Sequence, residues 1–259
     1  MLASLPGYGN SSNPSENYYK NDHYNNEGEV ISELLTKLNK EKKIKSEKVH
    51  LVGHSMGSEI IASTAVNNSE VVSSLTLLDP SGVDEKENIP LLFSKFVASG
   101  IHASAKYNIA MYLSGEGDYE GGLYDYIPER KQCVVEVEEG NRKRWRQRLA
   151  EGKKFKKGQL LEKLKKIAKN IPVNYIAGEK DWVYPPGKTT NEDDVINASS
   201  HSGKVAEIIG VENIHVLAGL PHNTTLSPDE IVAVYMDNCF KQSEYRNRIE
   251  EVRKSLEEN

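Results

Sequence analysis

The hydrophobic positions of the chain follow two alternating patterns, one typical of amphipathic helices and one typical of buried strands. Helical spacing covers about 28–42, 56–66, 205–209 and 231–240. Short apolar runs predict strands at about 48–53, 71–78, 173–177 and 214–217. Because short apolar strands alternate with helices, we expect an α/β protein with a mostly parallel sheet that is covered by helices on both faces.

The stretch from about 84 to 168 interrupts this alternation, since it holds helical pieces without regular strands. We interpret it as a helical cap inserted over the sheet. The chain then divides into an α/β core at 1–83 and 169–240, a cap at 84–168 and a charged C-terminal helix at 241–259. We expect that last helix to be a surface appendage, with Ile249, Val252 and Leu256 on one stripe.

The composition narrows the class of protein. The 259 residues suffice for a sizeable core, and 37% are hydrophobic. A formal net charge of −5 disfavours a nucleic-acid-binding protein, and the two cysteines are too few for a disulfide framework. Since the sequence shows neither a transmembrane run nor a signal peptide, we expect a soluble protein in the cytoplasm or at the periphery of an intracellular membrane.

The strongest chemical signal is Gly53-His54-Ser55-Met56-Gly57, a G-x-S-x-G pattern between a predicted strand and a predicted helix. Such a turn is so tight that only small residues fit beside the serine, whose hydroxyl is then exposed at a helix N-terminus. Ser55 is therefore a candidate nucleophile. The backbone N–H of Met56 is the matching candidate to stabilise an oxyanion.

A nucleophilic serine needs a base, and the base needs a carboxylate that orients it. Asp181 follows the predicted strand at 173–177, and His222 follows the one at 214–217. Both residues lie downstream of Ser55 in the order Ser, Asp, His, and all three follow strands on the same edge of a parallel sheet. Taken alone, Asp181 is also consistent with a solvated turn aspartate, and His222 with a loop histidine.

The sequence contains no motif that indicates a metal or nucleotide cofactor. It contains no C-x-x-C, and its one H-x-x-x-H spacing, from His50 to His54, begins within a predicted strand, so we expect no metal site. It also lacks a P-loop and a G-x-G-x-x-G, so we expect no nucleotide cofactor.

Five segments together resemble the successive motifs of the α/β-hydrolase family. They are LPGYGNSS at 5–12, GHSMGS at 53–58, LLDPSGV at 77–83, AGEKDW at 177–182 and LAGLPH at 217–222. Within that family the chain is similar to a lipid-acting branch that includes cardiolipin deacylase, N-acyl-phospholipid lipase and a lipid-droplet coactivator. The resemblance implies that Ser55 is the nucleophile, Asp181 the acid and His222 the base.

The chain departs from this branch in two places. Many of its members carry an Asp five residues after the catalytic His, a feature linked to acyl transfer, whereas this chain has Ser227 there. The family's sheet also begins with three strands and a His-Gly oxyanion loop before the P-G-Y-G loop, at which this chain starts. The resemblance therefore predicts an N-terminally truncated fold, with a bare edge on the strand before Ser55 and little activity by itself.

We expect a serine ester hydrolase that acts on a (phospho)lipid acyl ester without a cofactor. Apolar residues at 91–97 and 107–113 are candidates for an acyl pocket, or for the plain core of the cap. From Glu129 to Lys166 the chain has 14 Lys and Arg against 6 Asp and Glu, so this part could contact an anionic membrane or be a solvated helix face. The alternatives are a non-catalytic coactivator of lipid metabolism with the same fold, and a small-molecule carboxylesterase.

Overall fold

A computed structural model gives the structure of the protein. It describes residues 4–7, 11–12, 14–15, 18, 23–44, 46, 48–84, 159–179, 181, 184–187, 198–218, 220 and 231–257. The chain forms two compact units. The first comprises Met1–His23, Lys86–Lys157 and Leu226–Pro228, and the second comprises Tyr24–Glu85, Gly158–Thr225 and Asp229–Asn259. Residues 85–158, which hold most of the predicted cap and its proposed acyl pocket, lie outside the described residues.

The first unit contains the described part of the LPGYGNSS motif, which forms a turn at Pro6 and Gly7. Gly7 has a φ of 79°, a value that glycine adopts without strain. Its backbone N–H donates to the carbonyl of Ser12 at 2.9 Å, and the Ser11 hydroxyl donates to the carbonyl of Ser4 at 2.7 Å. One backbone and one side-chain hydrogen bond therefore close this turn.

The regular elements follow one another in the α/β alternation that the sequence predicts. In chain order they are α1 (His23–Lys40), β1 (Val49–His54), α2 (Met56–Asn67), β2 (Val72–Leu78), α3 (Leu160–Ile167), β3 (Val173–Gly178), α4 (His201–Ile209), β4 (Ile214–Leu217) and α5 (Ile231–Glu257). In the described part of the chain, no helix is both long and apolar enough to cross a membrane.

The four described strands form one sheet in the order β1-β2-β3-β4, and all three pairs are parallel. The register aligns Gly53 with Leu77, and Leu78 with Ile176. The carboxyl ends of the strands consequently lie along one edge. In open parallel sheets, ligand-binding and catalytic residues lie at that edge. Among these four strands β1 and β4 are the two outer ones, and β1 has β2 as its one neighbour.

Alternate residues of the strands supply two hydrophobic clusters, one on each face of the sheet. On one face Leu75, Leu77 and Val173 pack with apolar residues of α2, α3 and α4. On the other face Leu78 and Ile176 pack with residues of α5. The predicted fold class, a parallel sheet with helices on both faces, is therefore confirmed.

Helix α3 belongs to the core, although the sequence interpretation assigned residues up to 168 to the cap. Leu160 and Leu164 are fully buried in the first cluster, and the N–H of Leu160 donates to the carbonyl of Gly82 at 3.1 Å. Lys163, counted above in the basic stretch, is also buried and lies 3.2 Å from the carboxylate of buried Glu59. The apolar face of α3 therefore packs in the core, although the other residues of the helix are charged.

Helix α5 runs without a break from Ile231 to Glu257, so the predicted division at 240 is not the end of a helix. Its inner face continues past that point, since Ser243 is buried and accepts a hydrogen bond from Asn174 at 3.4 Å. The side-chain amide of Asn247 donates to the carbonyl of Ser73 at 3.2 Å. The helix is therefore part of the core at least to Asn247, rather than a surface appendage from residue 241.

Candidate functional site

Ser55 forms the junction between β1 and α2 and has a strained backbone, with φ 52° and ψ −118°. A non-glycine residue in such a region costs about 1–3 kcal/mol, which the surrounding structure must supply. The N–H of Ser55 donates to the carbonyl of Leu78 at 2.8 Å, and its carbonyl accepts from Ser58 at 3.0 Å and Ser81 at 3.2 Å. These bonds to β2 and α2 hold Ser55 in the turn.

Gly53 is required by a close approach of the backbone. A Cβ atom at this position would lie 2.4 Å from the carbonyl oxygen of Gly57 and 2.7 Å from the nitrogen of Ser58. A Cβ at Gly57, by contrast, would meet no atom of the described residues within 4 Å. The interpretation that only small residues fit beside the serine thus holds at Gly53, whereas at Gly57 the described residues impose no such limit.

We expect Gly53→Ala to lower the free energy of unfolding by about 1–3 kcal/mol, because the added methyl group overlaps backbone atoms of α2 that cannot rotate away. Urea denaturation followed by circular dichroism measures the change. The matched control is Gly57→Ala, which introduces the same group four residues later without an overlap among the described residues. Equal unfolding midpoints for the two variants would contradict the steric explanation.

Asp181 lies at the same edge of the sheet as Ser55, just beyond the end of β3. Its side chain is 2% exposed, and its N–H donates to the carbonyl of Gly178 at 3.0 Å. One carboxylate oxygen, Oδ1, accepts a hydrogen bond from the N–H of Tyr184 at 2.9 Å. Asp181 is thus a buried acid held by backbone groups rather than the solvated turn residue that was its alternative.

A second buried carboxylate, Asp79, occupies the end of the intervening strand β2. It is completely buried and has a φ of 42°, and its N–H donates to the carbonyl of Ile176 at 2.8 Å. Asp79 Oδ1 accepts from the N–H of Gly178 at 2.9 Å, while Oδ2 lies 3.7 Å from Nε2 of His54. Asp79 therefore connects the ends of β1 and β3 on either side of its own strand.

The sequence analysis named Asp79 only within the LLDPSGV motif at 77–83 and assigned it no role. The available signal was positional, because Asp79 follows an apolar strand at the carboxyl edge of the sheet, as Asp181 does. His54, the second residue of the G-x-S-x-G pattern, contacts Asp79.

The pKa of Tyr175, on β3, responds to both buried acids. Burial raises its pKa well above the ordinary value, and the charges of Asp79 and then Asp181 raise it further. The phenol therefore keeps its proton at all physiological pH values. Its oxygen lies 3.1 Å from Nδ1 of His201, the first residue of α4.

His222, the predicted base, lies outside the described residues, as does Trp182. The structure thus places Ser55 and Asp181 at one edge of the sheet, and the place of His222 there stays a prediction. Met56 is the first residue of α2, and the role of its N–H also stays a prediction. Within the described residues, no three His, Cys, Asp or Glu side chains are grouped so as to hold a metal ion.

A groove of about 510 Å³ lies between α1 and the C-terminal end of α2. Its lining includes Thr36, Lys37 and Asn68. Ser55 stands at the opposite end of α2, a helix of 12 residues. At 1.5 Å per residue this separation is about 18 Å, so the groove is not part of the candidate site.

Comparison with known proteins agrees with this architecture. The sequence pattern that defines the alpha/beta hydrolase fold matches residues 1–201. The chain is 26% identical over 198 residues to abhydrolase domain-containing protein abhd-5.2 of Caenorhabditis elegans. That match covers 69% of this chain and 42% of the relative, so the chain spans less than half of that protein's length.

Solved structures show the same fold at low sequence identity. An esterase from Exiguobacterium antarcticum is 17% identical with a TM-score of 0.59, and the alignment covers 92% of this chain and 79% of the esterase. A 2-hydroxy-6-oxo-6-phenylhexa-2,4-dienoate hydrolase from Rhodococcus is 17% identical with a TM-score of 0.57, over 92% of this chain and 78% of the hydrolase. A bacterial membrane phospholipase A is 17% identical with a TM-score of 0.53, over 93% of this chain and 69% of the phospholipase. With its parallel sheet, its strained serine at the strand–helix junction and a sequence match over residues 1–201, the chain belongs to the α/β-hydrolase fold family.

Proposed function

We propose that the chain is a serine hydrolase that cleaves a carboxylic ester through an acyl-enzyme, and that the ester belongs to a phospholipid or another lipid. The observation that carries this proposal is the backbone of Ser55, which is strained, fully hydrogen-bonded and at the same edge of the sheet as buried Asp181. A structure holds a serine in such a conformation where the hydroxyl has a chemical task.

The proposed reaction uses the two described residues and His222. The Ser55 oxygen attacks the ester carbonyl while His222 takes the hydroxyl proton, and the Met56 N–H stabilises the oxyanion. His222 then gives the proton to the leaving alcohol, which leaves an acyl group on Ser55. Water, deprotonated by His222, attacks the acyl carbon. The bond from that carbon to the Ser55 oxygen then breaks as His222 returns the proton to Ser55, which releases the carboxylic acid, and Asp181 holds the imidazole and stabilises its cation throughout.

Labelling by a fluorophosphonate probe, followed by mass spectrometry of the peptides, tests the proposed nucleophile directly. We expect the 259-residue chain to be labelled at Ser55 and to release p-nitrophenol from a short-chain ester slowly but measurably, in keeping with the little activity expected from the sequence. A folded protein that stays unlabelled and hydrolyses neither short-chain esters nor phospholipids would contradict the proposal. That outcome would favour the non-catalytic coactivator instead.

The lipid part of the proposal rests on the basic stretch at 142–148, RKRWRQR, and on the name of the phospholipase that shares the fold. Each cation near an anionic lipid surface contributes about 1 kcal/mol to binding. We expect reversal of Arg142, Arg144, Arg146 and Arg148 to Glu to abolish sedimentation with phosphatidylserine-containing vesicles. Hydrolysis of a soluble ester should stay within about twofold, and wild-type binding should fall as salt increases.

The matched control reverses four exposed lysines of the second unit that lie outside 129–166, namely Lys40, Lys42, Lys48 and Lys169, and therefore changes the net charge by the same amount. If both sets reduce vesicle binding equally, overall charge is responsible and the basic stretch has no special role. If neither set reduces it, the stretch is a solvated helix face.

A further inference from the structure

The segment that follows Asp181 is fastened to the first turn of α4. Ser202 donates to the carbonyl of Pro186 with both its N–H, at 3.0 Å, and its hydroxyl. Ser200 approaches Gly187 so closely that a Cβ on the glycine would lie 2.3 Å from the Cβ of Ser200. Residues 184–187 are therefore held by backbone bonds and close contact, not by side-chain packing alone.

The first turn of α4 is itself stabilised by a capping hydrogen bond and by burial. The Ser200 side chain caps the helix by accepting a hydrogen bond from the N–H of Gly203 at 3.0 Å. A cap of this kind stabilises a helix start by about 1 kcal/mol. His201 and Ser202, the two residues that follow the cap, are 6% and 2% exposed.

His201 connects this turn to the sheet and to the Asp181 segment at once. Its Nδ1 lies 3.1 Å from the phenol oxygen of Tyr175 on β3, and its ring centroid lies 5.5 Å from that of Tyr184. The N–H of Tyr184 donates to Oδ1 of Asp181 at 2.9 Å, and the N–H of Asp181 returns to β3 at Gly178. The contacts form a closed circuit from β3 through α4 to Asp181 and back to β3.

From this circuit we infer that Tyr175 and His201 are positioning residues for Asp181, which they orient through Tyr184. The inference rests on the proposed function, in which the carboxylate of Asp181 must point at the base. The Tyr184 N–H fixes the direction of the Asp181 carboxylate only as long as Tyr184 is itself fixed. Tyr184 is buried and packs on the His201 ring, so loss of the Tyr175–His201 bond loosens the ring contact that helps to position the Tyr184 N–H.

Tyr175→Phe and His201→Ala test the inference by kinetics with a soluble ester. We expect each to lower kcat by about 10- to 100-fold with KM within about twofold, because misplacement of a catalytic group slows the chemical step. Neither change should lower the rate further in an Asp181→Asn background, since all three act on one step. Full kcat in both variants, or losses that add to that of Asp181→Asn, would overturn the inference.

Val205→Ala is the matched control for a purely structural effect. Val205 is fully buried in the same helix and belongs to the first hydrophobic cluster, as Tyr175 does, but it takes part in neither the Tyr175–His201 hydrogen bond nor the His201–Tyr184 ring contact. We expect this variant to melt at a lower temperature than the wild type and to keep kcat within about twofold. A drop in kcat equal to that of Tyr175→Phe at a similar melting temperature would reduce the Tyr175–His201 pair to ordinary packing.

Amide hydrogen exchange at Tyr184 separates the inference from the proposed function. The exchange rate should increase at least about tenfold in Tyr175→Phe and His201→Ala, and stay near the wild-type value in Val205→Ala. Unchanged exchange in the first two variants overturns the inference even if the enzyme is active. A wild-type chain without esterase activity overturns the proposed function, and the exchange rates then still decide whether the pair holds the Asp181 segment.

Discussion

Ser55→Ala should lower kcat/KM for a short p-nitrophenyl ester by roughly 10⁴-fold or more, which is the scale of loss when a catalytic nucleophile is removed. Alanine keeps the Cβ of serine, so the strain at φ 52° is unchanged and the backbone bonds of residue 55 remain. The melting temperature should therefore stay close to that of the wild type. Steady-state rates and a thermal melt on the same preparation measure both effects.

Ser81→Ala provides the control, because Ser81 lies one hydrogen bond from the nucleophile. Its N–H donates to the carbonyl of Ser55, while its buried hydroxyl has no hydrogen-bond partner among the described residues. Removing that hydroxyl should leave both the rate and the fold nearly unchanged. More than a few per cent of wild-type activity in Ser55→Ala would show that another group is the nucleophile.

Local patterns were sufficient to predict the strands and the junction at Ser55. The strand predicted at 71–78 is found at Val72–Leu78, and the one predicted at 173–177 at Val173–Gly178. Buried strands of a parallel sheet are short, continuous and apolar, and the G-x-S-x-G pattern marks the turn by its glycines. Each of these signals is contained within about ten consecutive residues, so each can be recognised from one sequence alone.

Contacts between distant parts of the chain could not be predicted in this way. Gly178 and Asp79 are joined by a hydrogen bond across 99 positions, and nothing near Asp79 in the sequence indicates it. Lys163 and Glu59 are 104 positions apart and form a buried pair, so a lysine that composition assigned to a basic surface is part of the core. Which polar residues are buried depends on the packing of helices, and hydrophobic periodicity specifies only the apolar face.

The same limit applies to the division of the chain into core and cap. Helix α3 has four apolar residues among strongly basic neighbours, and its burial depends on α2, which lies about 100 positions earlier. Charge counted along the sequence averages the two faces of a helix. A prediction by face, with Leu160, Leu164 and Ile167 at helical spacing, would have placed this helix against the core.

Asp181→Asn and His222→Ala should each lower kcat by about 10⁴-fold, and the double variant should be little slower than the slower single one, because the members of a triad act as a unit. Asparagine keeps an oxygen that can accept from the Tyr184 N–H, so the fold around residue 181 should survive. It lacks the charge that stabilises the imidazolium, and it presents an amide where a carboxylate must accept. Rate constants for the two single variants and the double variant, with melting temperatures, complete the cycle.

Asp79→Asn is the comparison that makes this cycle decisive, because Asp79 is the other buried carboxylate at the same edge of the sheet. Its amide would still accept from the Gly178 N–H, whereas the charge opposite His54 would be lost. We expect this variant to retain much more activity than Asp181→Asn. If Asp79→Asn is the slower variant, and its loss is the one that fails to add to that of His222→Ala, the orienting acid follows β2 rather than β3. Glu179 is a weaker alternative to either, since its side chain is exposed at the end of β3, where water screens its charge.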